Sequence, residues 1–363
     1  MVAQRLRDDF GLSCPIFDAA TYPLSSSIYG LGVPGTRTEL RVGRPLARTV
    51  GPGVASLLLG RSTMDQTTVP LDTGTTVWWR RFRKPILHPD LQDADLSAFA
   101  RETLNSTLRS ALGKCTVLNS WHAEESADWK PYQLQLAVDC CLAVPETICS
   151  TDQDEIEAFV AKIEASGRRV VYKHASSSAA FGMPTRIVDA AARQRFASLK
   201  YAPTLFQAEV SGGADLRVAV VGETIFCCEW RGSDKERHFA DIKLENDPRM
   251  YPAVFPAGAR TELLNLHRRL GLRLGIYDFK LDTAGTPFFL EVNPSGQWLD
   301  MELEGGQGVS LAIAQMLAGV EMGEKPARSI YTHADLERAY ASAVPPRGSL
   351  EWHPVFAAER AGT

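Results

Sequence analysis

The stretch Phe288-Phe289-Leu290-Glu291-Val292-Asn293-Pro294-Ser295-Gly296-Gln297-Trp298 constrains this chain more than any other. An apolar strand ends in a carboxylate, and a carboxamide follows two positions later. Side chains alternate along a strand with period two, so Glu291 and Asn293 are expected on one face, with Leu290 and Val292 on the opposite, core face. Two hard oxygen ligands before a Pro-Ser-Gly turn suit Mg²⁺ held against phosphate, because that ion keeps few protein ligands and many water or phosphate oxygens. A third candidate ligand is Asp278, in Gly275-Ile276-Tyr277-Asp278-Phe279-Lys280-Leu281. The intervening Asp282-Thr283-Ala284-Gly285-Thr286 reads as a hairpin turn that folds Asp278 back beside Glu291. The plain alternative is a surface hairpin with an ordinary acid at each end.

With 363 residues the chain is long enough for two or three domains. Its charged and apolar fractions are those of a globular protein, and a net charge of −4 points to no particular partner. No apolar run is long enough to span a bilayer, and the N-terminus lacks the apolar core of a secretory signal. Seven cysteines include the neighbours Cys140-Cys141 and Cys227-Cys228, without CxxC or Cys/His metal spacing. Most are expected to be buried small hydrophobes in a reducing cytoplasm.

Three parts and a tail are expected along the chain. Residues 1–118 are irregular, with strand-like pieces at Cys14–Asp18, Ala55–Leu59 and Thr76–Trp79 and a helix over Asp95–Leu112. Residues 119–204 hold a helix Lys130–Cys141, a Pro-marked strand start near Thr147, a capped helix from Ser150 to Ala165 and a strand Arg169–His174. Residues 205–325 hold strands near Phe206–Val210, Leu216–Val221, Thr224–Trp230, Ile276–Leu281 and Phe288–Val292, with a helix Arg260–Leu270. The tail, 326–363, carries one further helix, Ala334–Ala343.

Three basic residues sit where phosphate chemistry wants them. Lys173 ends the apolar run Val170-Val171-Tyr172 and precedes the small-residue loop Ala175–Gly182, whose backbone N–H groups suit anionic oxygen. The loop is not a Walker A sequence, and no GxGxxG follows a strand. Arg217 shares a strand face with Asp215, and a forked guanidinium there suits a terminal phosphate. Lys130 opens its helix. Taken singly, these also read as an edge lysine, a strand arginine and a solvated first-turn lysine.

Their order along the chain resembles the ATP-grasp superfamily from about Trp78 to Leu317, and within it the microviridin-type, or graspetide, ligases that mature ribosomal peptides. Four stretches carry the likeness. Val77-Trp78-Trp79-Arg80-Arg81 is similar to the end of that family's N-terminal domain. Lys130-Pro131-Tyr132-Gln133 running to Val144-Pro145-Glu146-Thr147 is similar to its helix and Pro-Thr strand start. Phe206-Gln207 and Asp215-Leu216-Arg217-Val218 resemble the hinge and the phosphate-arginine strand. The ending Asn293-Pro294-Ser295-Gly296-Gln297-Trp298 is the most specific.

The resemblance implies an α/β (α+β) ATP-grasp fold: an N-terminal pre-ATP-grasp domain, a central lobe and a C-terminal lobe clasping ATP and Mg²⁺. It implies that Lys130 and Lys173 contact the α- and β-phosphates, that Gln207 lies at the adenine hinge, and that Arg217 meets the γ-phosphate. Asp278, Glu291 and Asn293 would hold Mg²⁺, and Glu209 would face the ribose. The implied activity is a carboxylate ligase acting through an acyl phosphate on a precursor peptide, forming side-chain esters or amides. A ligase joining free amino acids or small carboxylates is the alternative, and a nucleotide-binding homologue without catalysis is a third. A homodimer is compatible with the likeness; nucleic acid and membrane are not expected partners.

Two departures from the family stand out. Only Val2–Phe10 precedes the segment Phe17–Pro23 that matches its opening, so either a first strand is lacking or the start is internal. The lysine expected after the hinge is absent from Ala208-Glu209-Val210-Ser211-Gly212-Gly213. Other features have bland expectations. Arg80–Lys84 should set arginines against local carboxylates, His174 should face solvent or pack, and Trp298 should pack behind the metal turn. Asp300, Glu302 and Glu304 should form a solvated face.

Overall fold

Helix α1 (Val2–Asp8) opens the chain and turns Val2 and Leu6 inward. The computed structural model describes residues 1–14, 26–29, 31, 35–42, 67–80, 85–88, 90–175, 185–231 and 249–320. Strands β1 (Ser26–Tyr29), β2 (Glu39–Val42) and β3 (Thr67–Pro70) form an antiparallel sheet. Next come β4 (Thr76–Trp78), α2 (Ala94–Ala111) and β5 (Thr116–Leu118). The pair β4–β5 is parallel, which the intervening helix allows because parallel strands need a long crossover.

Asn119 then reverses the chain at φ 54°, a left-handed conformation that Asn tolerates. Its buried carboxamide accepts from the N–H groups of Arg273 (2.7 Å) and Leu274 (3.0 Å) and donates to the Leu274 carbonyl (2.8 Å). Helices α3 (Trp121–Ala127) and α4 (Lys130–Asp139) follow. Ser120 caps α3, and Pro131 occupies the first turn of α4, where its missing N–H costs nothing.

A four-stranded antiparallel sheet comes next: β6 (Thr147–Ser150), β7 (Val170–His174), β8 (Arg186–Ile187) and β9 (Thr204–Ala208), in the order β6-β9-β7-β8. Helix α5 (Gln153–Ala165) packs Ile156, Val160 and Ile163 on one face of it, near the short α6 (Ala190–Arg193). The cap of α5 is Asp152 rather than Ser150: its carboxylate accepts from the N–H groups of Asp154 and Glu155.

The largest sheet contains β10 (Asp215–Val221), β11 (Thr224–Arg231), β12 (Arg249–Pro252), β13 (Leu274–Leu281) and β14 (Pro287–Asn293). It is antiparallel throughout, in the order β12-β11-β10-β13-β14. Helix α7 (Arg260–Arg269) precedes β13; α8 (Leu299–Leu303) and α9 (Val309–Leu317) follow β14. Both faces of this sheet are covered. Leu216, Val218, Tyr277 and Phe279 pack against α4 and α7, while Ala219, Val221, Leu274 and Ile276 pack with Trp298, α1 and α9. That two-sided cover explains the near-continuous apolar run of β10.

The strands and helices expected from residue 119 to Asn293 are present, with ends moved by at most three residues. The helices α1, α3, α6, α8 and α9 and the strands β1 to β3, β5, β8 and β12 were not expected from the sequence. No helix among the described residues is long and apolar enough to cross a membrane. The expected strand Ala55–Leu59, the segment Phe17–Pro23, the loop from Ser176, Arg81–Lys84 and the helix Ala334–Ala343 lie outside the described residues.

Candidate active site

The β13–β14 hairpin sets Asp278 directly opposite Glu291, as its sequence predicts. Its turn is held by Asp282, whose carboxylate accepts from the N–H groups of Ala284 (2.9 Å) and Thr286 (2.8 Å). One expectation is corrected. The register slips between Asp278 and Phe279, so Phe279 faces Phe289 and Leu290 is the extra residue of a β-bulge. Phe289 therefore takes the core place expected of Leu290, and Leu290 lines the cleft beside Glu291. Alternation resumes beyond it, with Val292 buried between Glu291 and the exposed Asn293.

Period two places Asp215, Arg217, Asp278 and Lys280 on the face that also carries Ala219, Val221 and Ile276. Trp298 and α9 cover the apolar half of that face. The charged half lies at the cleft. Arg217, opposite Asp278 in register, donates from Nη1 to both Asp278 oxygens (2.6 and 2.8 Å) and from Nη2 to the Gln297 carbonyl (3.0 Å). Lys280 donates to Asp215 at 3.1 Å. Lys130, from the first turn of α4, makes an ion pair with Glu291, and Lys173 donates to the Leu290 carbonyl at 3.3 Å. Desolvation pushes the Glu291 carboxyl up and Asp278 adds to that, but the ammonium groups of Lys130 and Lys173 reverse both and hold it below the usual carboxylate range.

The four-stranded sheet supplies the other wall. Gln207 is buried and donates from Nε2 to Thr147 Oγ1 (2.9 Å); Glu209 takes both its hydrogen bonds from Arg169, at 2.5 and 2.7 Å. Between the two sheets lies a cleft that opens to solvent. Lys173, Gln207, Glu209, Asp278 and Glu291 line it, with Val171, Phe279 and Leu290 as apolar wall. Lys130 and Arg217 reach it through the carboxylates they pair with. Asn293 stands at the strand end, its Oδ1 accepting from the Ser295 N–H (3.1 Å). Among the described residues no three His, Cys, Asp or Glu side chains gather as metal ligands. Two carboxylates and one carboxamide oxygen nevertheless fit Mg²⁺, which needs few protein ligands beside phosphate.

Several positioning groups escaped the sequence reading. Gln133, one helical turn after Lys130 on the same face of α4, is fully buried and bonds the open edge of β14. It donates to the Val292 carbonyl (2.9 Å) and accepts from the Val292 N–H (2.9 Å). The signal was the Lys130–Gln133 spacing of three. Glu124 of α3 accepts from Ser295 Oγ (3.3 Å), and burial raises its carboxyl to about 7. Gly296 is required by close approach: a Cβ there would lie 2.7 Å from Ile276 Cβ.

The bland expectations fare unevenly. His174 is exposed and Trp298 is buried, as expected. Of the acids after Trp298 only Asp300 is exposed. Glu302 is fully buried and accepts from the Ser310 N–H and hydroxyl, and Glu304 accepts from the Met250 N–H (2.7 Å). Arg80 meets a carboxamide and two indole rings.

No protein-family model matches this chain, and no curated protein sequence matches it. Solved structures do. Macrocyclase MdnC from Microcystis aeruginosa MRC, bound with precursor peptide MdnA, superposes with a TM-score of 0.71 at 22% identity over 87% of this chain and 94% of that one. A Chryseobacterium gregarium RiPP-associated ATP-grasp ligase, in complex with ADP and a leader and core peptide, gives 0.69 at 19% over 91% and 95%. The ATP-grasp ligase PsnB, complexed with a phosphomimetic variant of its minimal precursor, Mg and ADP, gives 0.66 at 20% over 88% and 93%. The fold is that of the ATP-grasp ligases.

Proposed function

We propose that this chain is an ATP- and Mg²⁺-dependent carboxylate ligase that forms side-chain ester or amide cross-links in a ribosomal precursor peptide. The observation that carries the reading is the register pair Asp278–Glu291, held between Arg217 and Lys130 at the mouth of an ATP-grasp cleft. The likeness to ligases described with precursor peptides, ADP and Mg supports the substrate class. We place the pre-ATP-grasp domain at 1–118, the two lobes at 119–204 and 205–325, and the tail at 326–363. A reducing cytoplasm suits the seven free cysteines.

In this reading a substrate carboxylate takes the γ-phosphoryl group of ATP, giving an acyl phosphate and ADP. A hydroxyl or amine then adds to the acyl carbon and phosphate leaves. Mg²⁺, held by Asp278, Glu291 and Asn293, would neutralise phosphate oxygens. Lys130 and Lys173 grip the α- and β-phosphates, and Arg217 meets the charge that spreads over the transferring group. Each cation now faces a carboxylate or carbonyl, so an incoming polyanion exchanges partners rather than entering an uncompensated positive site. Gln207 and Glu209 serve the nucleoside end, where Glu209 must share its carboxylate with Arg169.

The test is intact-mass analysis after incubation with ATP, Mg²⁺ and a peptide carrying Asp or Glu together with Ser, Thr or Lys, encoded beside this chain. Each ring removes one water, so mass should fall in steps of about 18 Da with matching ADP release. An unchanged peptide, with ADP release stimulated by a free amino acid, would replace this reading with a small-acid ligase. ATP binding without ADP release in either case would leave a nucleotide-binding protein.

A further inference from the structure

We propose that Arg80 is a positioning residue that sets the guanidinium of Arg217 by fixing the Gln297 peptide. The inference rests on the ligase reading, which gives Arg217 its role. One Arg217 nitrogen is bound to Asp278 and the other to the Gln297 carbonyl, so its orientation depends on where that carbonyl sits. The carbonyl belongs to a turn residue with an exposed side chain, between β14 and α8. Two contacts hold the Gln297–Trp298 end of that turn, beside the Ser295–Glu124 hydrogen bond.

The first is Arg80 itself. Its Nη2 donates to Gln297 Oε1 at 2.6 Å, while its guanidinium carbon lies 4.5 Å from the Trp298 ring centroid and 5.7 Å from that of Trp78. The two indoles are 5.5 Å apart, tilted by 36°. The second is Trp298, buried, with Nε1 donating to Ser310 Oγ (3.1 Å). A planar guanidinium stacks on an aromatic face and donates along its edge at the same time, which an ammonium group does not do. Arg80 follows β4 by two residues, so the contact ties the N-terminal part of the chain to the catalytic turn. Arg80 is not among the residues that line the cleft. Its hydrogen bond to Gln297 is the link through which the clamp reaches Arg217.

The experiment is a double-mutant cycle read as ADP release with ATP, Mg²⁺ and the peptide above, alongside AMPPNP affinity and thermal melting. Arg80→Ala should lower turnover about tenfold with AMPPNP affinity within about twofold, and Arg80→Lys should recover little of it. In an Arg217→Ala background the same change should cost nothing more, because the two residues act as one unit. Gln297→Leu removes the side-chain acceptor but keeps the carbonyl, and should reproduce the Arg80→Ala loss; it decides the matter if Arg80→Ala does not fold. Full turnover in both Arg80→Ala and Gln297→Leu, additive losses in the cycle, or a lowered melting temperature with unchanged turnover would each overturn the clamp. Undiminished turnover in Arg217→Ala alone would instead overturn the ligase reading beneath it.

Discussion

Glu291 is the residue on which most of the site's electrostatics converge. Burial and the facing Asp278 oppose its charge, and only Lys130 and Lys173 keep the carboxyl ionised. A carboxylate held low in this way is a ready cation ligand at any physiological pH. Glu291→Gln retains shape and hydrogen bonding but removes the charge. ADP formation with Mg²⁺ should fall by two decades or more, the size of effect typical of lost charge stabilisation in a closed site, while the melting temperature stays close to the parent's. Unchanged turnover in this variant would remove the metal assignment. A variant that fails to fold would mark the Lys130–Glu291 pair as a structural bridge instead.

At the scale of elements, the strand β14 decides where the site sits, and it lies at the edge of its sheet. An open edge slips easily unless something pairs with it. Here Gln133 imitates a neighbouring strand with one side chain, and the Phe289 N–H donates to the Ala143 carbonyl (2.8 Å). With its edge held, the bulge at Leu290 keeps its place, and Glu291 stays opposite Asp278. Gln133→Leu leaves the Val292 N–H and carbonyl buried without partners, at a cost of about 1–3 kcal/mol for each group. Denaturant melts should therefore show a loss of roughly 3 kcal/mol. A change below about 0.5 kcal/mol, within the range of neutral surface substitutions, would mean that the edge is held by other contacts.

For the whole molecule, the largest sheet is a central layer, and one of its cores contains a polar pair. His267 of α7 and Tyr277 of β13 are both buried, with Nδ1 and the hydroxyl 2.8 Å apart. Burial pushes the His267 imidazole down to about 4 and the Tyr277 phenol up. In the unfolded chain the imidazole titrates near 6.5, so between those values the unfolded state binds a proton that the native state refuses. Stability is therefore intact above about pH 6.5 and falls as the pH drops toward 4, by up to about 3 kcal/mol from this residue alone. His267→Gln keeps a hydrogen-bonding partner for Tyr277 without the titration. Its stability relative to the parent should improve steadily over that window. Parallel pH profiles for the two proteins would show that the imidazole charges freely in the native state.

Local patterns in the sequence were enough to predict the β13–β14 hairpin, the shared face of Asp215 and Arg217, and the facing of Asp278 by Glu291. Each depends on the two-residue period of a strand and on a turn of a few residues, information carried by neighbours in the chain. The ATP-grasp fold was legible in the order of those pieces. The bulge at Leu290 was not, because both registers bury an apolar residue and only packing against Phe279 chooses between Phe289 and Leu290. Nor were the long contacts: Gln133 meets Val292 across 159 positions and Arg80 meets Gln297 across 217. A carboxamide or guanidinium satisfies any open strand edge or turn of suitable shape, and no local period says which one will be left open. That choice belongs to the tertiary structure, which alone decides which backbone groups remain unpaired once the sheets have formed.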